Sequence, residues 1–68
     1  MKKAIEIRID DCIYYMNNLL TVLEINKQDD KGCWFICVCD KIRYYLCVNS
    51  DQEFEYIVPN QLKLNLNN

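Results

Sequence analysis

The chain has 68 residues, a formal net charge of −2 and a hydrophobic content of 51%. A chain of this length forms one domain, residues 1–68, and its composition is far from that of a disordered segment. Histidine is absent, which removes the commonest general base and metal ligand, and a single glycine excludes a glycine-rich phosphate loop. We therefore expect a small acidic protein that is not an enzyme and carries no cofactor.

The N-terminus begins Met1-Lys2-Lys3, but charged residues soon interrupt the apolar run that a signal peptide would need. No apolar run approaches the length of a membrane span. These features predict a cytoplasmic protein with no membrane partner. In a reducing compartment its five cysteines are expected to be free thiols.

Alternation of apolar and charged residues predicts a first strand through Ile5, Ile7 and Ile9. The next segment, residues 12–25, allows two interpretations. It can form two strands joined by a turn at Asn17-Asn18, or a helix near residues 11–26 packed on a three- to four-stranded sheet. Its β-branched and tyrosine residues favour the strands.

The second half of the chain contains four apolar segments separated by polar turns. Residues 33–39 form a continuous apolar run, which predicts a strand, and residues 43–48 predict another. Alternation then predicts a strand over residues 54–58, ended by Pro59, and a last short strand over residues 62–66. Residues 65–68 are expected to fray.

Four segments, in this order, resemble the small SH3-like barrels of the KOW and Tudor type. They are Ile7-Arg8-Ile9-Asp10-Asp11-Cys12-Ile13-Tyr14-Tyr15, Leu19 to Ile25, Gly32-Cys33-Trp34-Phe35-Ile36-Cys37-Val38 and Glu55-Tyr56-Ile57-Val58-Pro59-Asn60-Gln61-Leu62. Asp10 and Asn17-Asn18 stand where such domains usually carry glycine. Asp and Asn tolerate the positive φ of those turns. The resemblance implies an all-β barrel of about five short antiparallel strands.

The cysteines offer a metal-binding alternative to core packing. Cys33, Cys37 and Cys39 share strand parity, and a three-residue loop after Asp40 would place Cys37 opposite Cys47. Four thiolates could then surround a zinc ion. The chain has no Cys-x2-Cys knuckle, and cysteine is itself a small buried hydrophobe, so core packing is the favoured interpretation and redox sensing a further alternative.

The aromatic residues and nearby acidic loops are the candidate partner contacts. Aromatic side chains on an open face of an SH3-like barrel commonly form a binding groove. The strand over residues 33–39 is apolar on both faces, which indicates that its outer face is covered either by a partner or a second copy or by the chain's own termini. The predicted contact residues are Phe35, Tyr44, Tyr45, Asp29, Asp30, Glu53 and Glu55.

These observations favour a protein-binding module that acts by stoichiometric binding. Its size and acidity are similar to those of phage- or mobile-element-encoded inhibitors of host defence, such as anti-CRISPR proteins. The alternative is a KOW/Tudor-like RNA- or ribosome-associated protein, although the scattered basic residues disfavour nucleic acid. That alternative requires convergence on one face of Lys2, Lys3, Arg8, Lys41, Arg43 and Lys63. A homodimer paired through a strand edge is a third hypothesis.

Overall fold

The computed structural model describes residues 1–57, which form seven β-strands and a short 3-10 helix, Ala4–Glu6. The strands are β1 (Lys2–Lys3), β2 (Cys12–Tyr15), β3 (Asn18–Asp29), β4 (Gly32–Cys39), β5 (Ile42–Val48), β6 (Glu53–Phe54) and β7 (Tyr56–Ile57). Five of them form an antiparallel sheet in the order β5-β4-β3-β2-β7, while β1 pairs with β6. The prediction of an all-β fold is confirmed.

Residues 11–26 contain strands, so the alternative helix is wrong. The β2–β3 turn consists of Met16 and Asn17, whose φ values are 49° and 67°, and Tyr15 pairs with Asn18 across it. The sequence prediction placed this turn one residue later. A two-residue turn with two positive φ values matches the twist of the strands that it joins, and asparagine tolerates that conformation.

The β4–β5 turn also has two residues, Asp40 and Lys41, with φ values of 51° and 69°. Cys39 therefore pairs with Ile42, and the register between β4 and β5 continues without a bulge to the Cys33–Val48 pair. The zinc hypothesis assumed a three-residue loop here. Side chains alternate between the two faces of a strand. A loop longer by one residue would therefore turn the other set of β5 side chains towards the core.

The N-terminal segment is not the predicted strand over residues 5–9. It begins with the 3-10 helix, Ala4–Glu6, instead; Ile7, which follows the helix, is buried, while Ile5 and Ile9 are exposed. The Nε2 of Gln28 donates hydrogen bonds to Ala4 O at 3.0 Å and to Ile7 O at 2.7 Å. In a strand, these two carbonyls would accept hydrogen bonds from a neighbouring strand. Here the Gln28 side chain donates to them instead, so the segment packs across the sheet and does not join it.

The predicted strand over residues 54–58 is divided at Glu55. Phe54 pairs with Lys2 in the small sheet, whereas Tyr56 pairs with Ile13 in the large one. Val58, the predicted strand over residues 62–66 and the predicted fraying at residues 65–68 lie outside the described residues. Within residues 1–57, no helix has the length and apolar character needed to cross a membrane.

The hydrophobic core lies between one face of the large sheet and the N-terminal segment. Phe35 stands at its centre, between Ile25 on β3 and Leu46 on β5. Phe54 contacts Tyr15 with a ring-centroid distance of 6.2 Å. The remaining fully buried members, which complete this cluster, are Ala4, Ile7, Ile13, Leu20, Val22, Cys33 and Cys37.

One partly buried ion pair, between Lys2 and Asp11, joins the N-terminal strand to the large sheet. Asp11 Oδ2 accepts hydrogen bonds from Lys2 Nζ and from the Arg8 backbone N–H, both at 2.9 Å. The ammonium group of Lys2 also lies 4.6 Å from the centre of the Tyr56 ring. Asp11 is the buried charged residue of the described chain, and its partners supply the hydrogen bonds that burial of a carboxylate requires.

Candidate functional site

Strand β4 presents an apolar surface on both sides of the sheet. Its odd-numbered residues, among them Phe35, face the core, and its even-numbered residues face outward. We define the outer hairpin face as the outward side chains of β4 and β5. It comprises Trp34, Ile36, Val38, Arg43, Tyr45 and Cys47, which pair as Trp34 with Cys47, Ile36 with Tyr45 and Val38 with Arg43.

Two aromatic residues dominate the exposed part of this face: Trp34 is 43% exposed and Tyr45 is 67% exposed. The predicted outward position of Phe35 is wrong, because its side chain is fully buried. Both faces of β4 are apolar, so alternation alone could not decide which one turns inward. Trp34, the residue before Phe35, takes the position that the sequence interpretation gave to Phe35.

Charged residues of β3 border the outer hairpin face, although no pattern in the sequence predicted them there. Glu24 pairs with Ile36 and Lys27 pairs with Trp34. The register shifts between Val22 and Glu24 and again before Lys27. Each such irregularity changes the parity of the residues that follow, so a strict period of two cannot predict which charges flank the hairpin.

A shallow groove of about 130 Å³ lies on the other side of β5. Tyr44 lines it and is 39% exposed, although it pairs with the buried Cys37. Tyr44 and Tyr45 therefore point to opposite sides of the same strand, as neighbours in a strand must. The residues that line the groove are Tyr15, Met16, Asn18, Leu20, Tyr44, Tyr45 and Leu46.

The four predicted acidic contacts are exposed but lie in two separate places. The Asp29 carboxylate accepts hydrogen bonds from the backbone N–H groups of residues 31 and 32, and Asp30 O accepts one from the Ser50 hydroxyl at 3.0 Å. Glu53 belongs to the small sheet, and Glu55 follows it. None of the four pairs with a residue of the outer hairpin face.

The predicted meeting of Cys37 and Cys47 is wrong. Cys37 pairs with Tyr44, while Cys47 pairs with Trp34 and lies on the opposite side of the sheet. Cys33 is buried on the core side and Cys39 is partly buried there. Among residues 1–57, no group of three or more potential ligands could hold a metal ion. The two-residue turn separates the cysteines that a longer loop would have brought together.

Burial raises the pKa of the Cys37 thiol from 9.0 to about 11. The unfolded chain therefore releases this proton at a lower pH than the folded chain does, and stability should fall as the pH rises from about 9 towards 11. Denaturant unfolding in reducing buffer at about pH 8 and about pH 10.5 measures the loss. Cys37→Ala should lose less stability between the two pH values than the wild type, and an equal loss would contradict the assignment.

The cysteines should also differ in their reactivity towards a thiol reagent. Cys47 is exposed and should react first in the folded protein, whereas Cys37 should react only after unfolding. Mass spectrometry after brief maleimide treatment measures the order of labelling. Cys47→Ser should remove the first adduct, and rapid labelling of Cys37 in the folded chain would contradict the described core.

Comparison of the chain with family models, curated proteins and solved structures finds no match.

Proposed function

We propose that the chain is a non-enzymatic protein-binding module that acts by stoichiometric binding through the outer hairpin face. The observation that carries the proposal is the exposure of Trp34 and Tyr45 on a regular two-stranded ladder whose other side is the hydrophobic core. Tryptophan and tyrosine are enriched among the residues that dominate binding energy at protein interfaces. Because the core already holds the two strands in place, little conformational entropy of the backbone is lost when these side chains bind a partner.

The surroundings of these two residues also suit a protein partner. Ile36 lies between Glu24 and Tyr45 across the three strands, and Lys27 lies next to Trp34. Ile36 is only 9% exposed, so Trp34 and Tyr45 supply the exposed apolar surface, and charged residues lie at its border, which is the usual composition of a protein interface. The groove beside Tyr44 provides a second apolar surface across β5 from the outer hairpin face.

The proposed setting is the cytoplasm of a bacterial cell, and the proposed partner is a protein of host defence. This part of the proposal rests on the analogy of size and acidity with phage- or mobile-element-encoded inhibitors, such as anti-CRISPR proteins. The RNA- or ribosome-associated alternative rests on the resemblance to KOW and Tudor domains. Of the basic residues that it requires, Lys2 is paired with Asp11 and Lys63 lies outside the described residues.

Affinity capture from bacterial lysate tests the proposal with matched variants. The wild type and Ile9→Thr, which changes an exposed apolar residue away from the hairpin, should retain the same protein in stoichiometric yield. Trp34→Thr should lose it, because threonine keeps the strand propensity but removes the aromatic contact. Equal retention by all three would contradict the site, and retention that nuclease treatment abolishes would favour the RNA alternative.

A further inference from the structure

Strand β5 has one edge without a strand partner among residues 1–57. The pair next to a two-residue hairpin turn is hydrogen-bonded, and the bonded pairs then alternate along the ladder. Residues 42, 44, 46 and 48 therefore direct their backbone groups towards β4. Arg43, Tyr45 and Cys47 direct theirs towards the open edge, and the described chain gives those groups no backbone hydrogen bond.

This edge lacks the features that usually prevent strands from pairing with other chains. It is seven residues long, has no bulge against β4 and contains one charged residue, Arg43. Short length, proline, bulges and several charges are the common forms of protection, and none of them applies here. The opposite edge of the sheet, β7, has only two residues in the described chain and is followed in sequence by Pro59.

We propose that two copies of the chain pair through β5, antiparallel, about a twofold axis at Tyr45. In this register Tyr45 faces the second copy's Tyr45, and Arg43 faces the second copy's Cys47. Each of the three residues offers one N–H and one C=O to the open edge, so three bonded pairs form six hydrogen bonds and use every edge group of both strands.

Charge and closure favour a second copy over an unrelated peptide. β5 contains no acidic residue, and the register places its single charge, on Arg43, opposite a neutral thiol rather than a second arginine. Cross-strand aromatic pairs such as Tyr45 with its counterpart are stabilising, whereas like charges directly opposite each other are not. A twofold interface also uses the long edge completely. The ten-stranded sheet formed by residues 1–57 of the two copies then ends on the short β7 edges, which leaves no second long edge in the described part of the chain for polymerisation.

Charge substitutions at the axis test this register on the purified chain. The wild type should show a concentration-dependent dimer mass by light scattering or analytical ultracentrifugation. Tyr45→Glu and Tyr45→Lys should each dimerise at least about tenfold more weakly, because the axis places each introduced charge beside its own copy. An equimolar mixture of the two variants should recover dimers, and native mass spectrometry should show that they contain one chain of each kind.

The matched control is Leu19→Lys, which adds the same charge to an exposed residue of β3, two strands away from the open edge. It should dimerise like the wild type, and circular dichroism should confirm that all variants keep the strand signal. A wild type that stays monomeric up to about millimolar concentration would overturn the proposal. Dimers that persist in both charged variants, or a mixture that fails to recover, would overturn it as well.

The dimer and the proposed function can fail independently. Trp34→Thr leaves the open edge of β5 intact, so it should lose the captured partner and keep the dimer. A purified chain that stays monomeric up to about millimolar concentration and still captures the partner would overturn the dimer alone.

Discussion

Replacing Phe35 by alanine should destabilise the fold by about 3–5 kcal/mol, the usual cost of removing a fully buried aromatic ring. Phe35 is completely buried between Ile25 and Leu46, so no neighbour can fill the space without moving a strand. A domain of this size has little stability to spare. We therefore expect Phe35→Ala to unfold at a much lower denaturant concentration than the wild type.

The control for this prediction is Tyr45→Ala, an aromatic truncation on the neighbouring strand. Tyr45 is 67% exposed, and its loss should change the free energy of unfolding by only about 1 kcal/mol. Denaturant unfolding followed by circular dichroism measures both variants under conditions in which the chain is monomeric. Similar costs for Phe35→Ala and Tyr45→Ala would contradict the assigned orientation of β4 and β5.

Replacing Asp11 by alanine should also cost about 2–3 kcal/mol, which is typical of lost hydrogen bonds to a buried charged group, because Lys2 is 21% exposed and stays partly hydrated. The substitution leaves Lys2 without its carboxylate and the Arg8 N–H without its acceptor. Both losses loosen the N-terminal strand from the large sheet. Thermal and denaturant unfolding measure the effect, and Asp51→Ala, at an exposed turn, should stay within about 0.5 kcal/mol of the wild type.

A double-mutant cycle separates the ion pair from other effects of the substitution. Lys2→Met with Asp11→Ala removes both charges, so the double variant should be less destabilised than the sum of the two single variants. Additive costs would show that Lys2 and Asp11 do not depend on each other. That result would contradict the network that joins the N-terminal strand to the sheet.

Much of the fold could be predicted from the sequence because the strands carry strong local signals. The apolar run of residues 33–39 and the tyrosine-rich segment after Asp40-Lys41 form β4 and β5 with nearly the predicted bounds. Positive φ values occur at Asp10 and Asn17, two of the turn positions at which SH3-like domains usually carry glycine. Local turn chemistry acts over a few residues, so it is readable without tertiary information.

Other parts of the fold depend on contacts between distant residues. The 3-10 helix replaces a predicted strand because Gln28 binds the carbonyls of Ala4 and Ile7 from more than twenty residues away. The burial of Asp11 likewise depends on Lys2, and no period in the sequence indicates it. At these positions, hydrogen bonds between distant residues determine the conformation, and the local preference of the residues for strand does not.

The sequence predicted the exposure of two of the three candidate aromatic residues but not the orientation of β4. Tyr44 and Tyr45 are exposed as expected, but Phe35 is buried. Because β4 is apolar on both faces, the alternation of its residues does not indicate which face turns towards the core. The four predicted acidic residues lie at strand ends or between strands, and none of them pairs with a residue of the outer hairpin face. The charges that border it, on Glu24 and Lys27, follow irregularities in the β3–β4 register that sequence alone does not reveal.

The central claim is that β4 builds the core with one face and binds a protein with the other. Titration calorimetry of the captured partner against the wild type, Trp34→Thr and Ile9→Thr tests it most directly. Trp34→Thr should weaken binding by about thirtyfold or more, as expected for a dominant aromatic contact, while Ile9→Thr binds like the wild type. Equal affinities for the folded wild type and folded Trp34→Thr would contradict the claim.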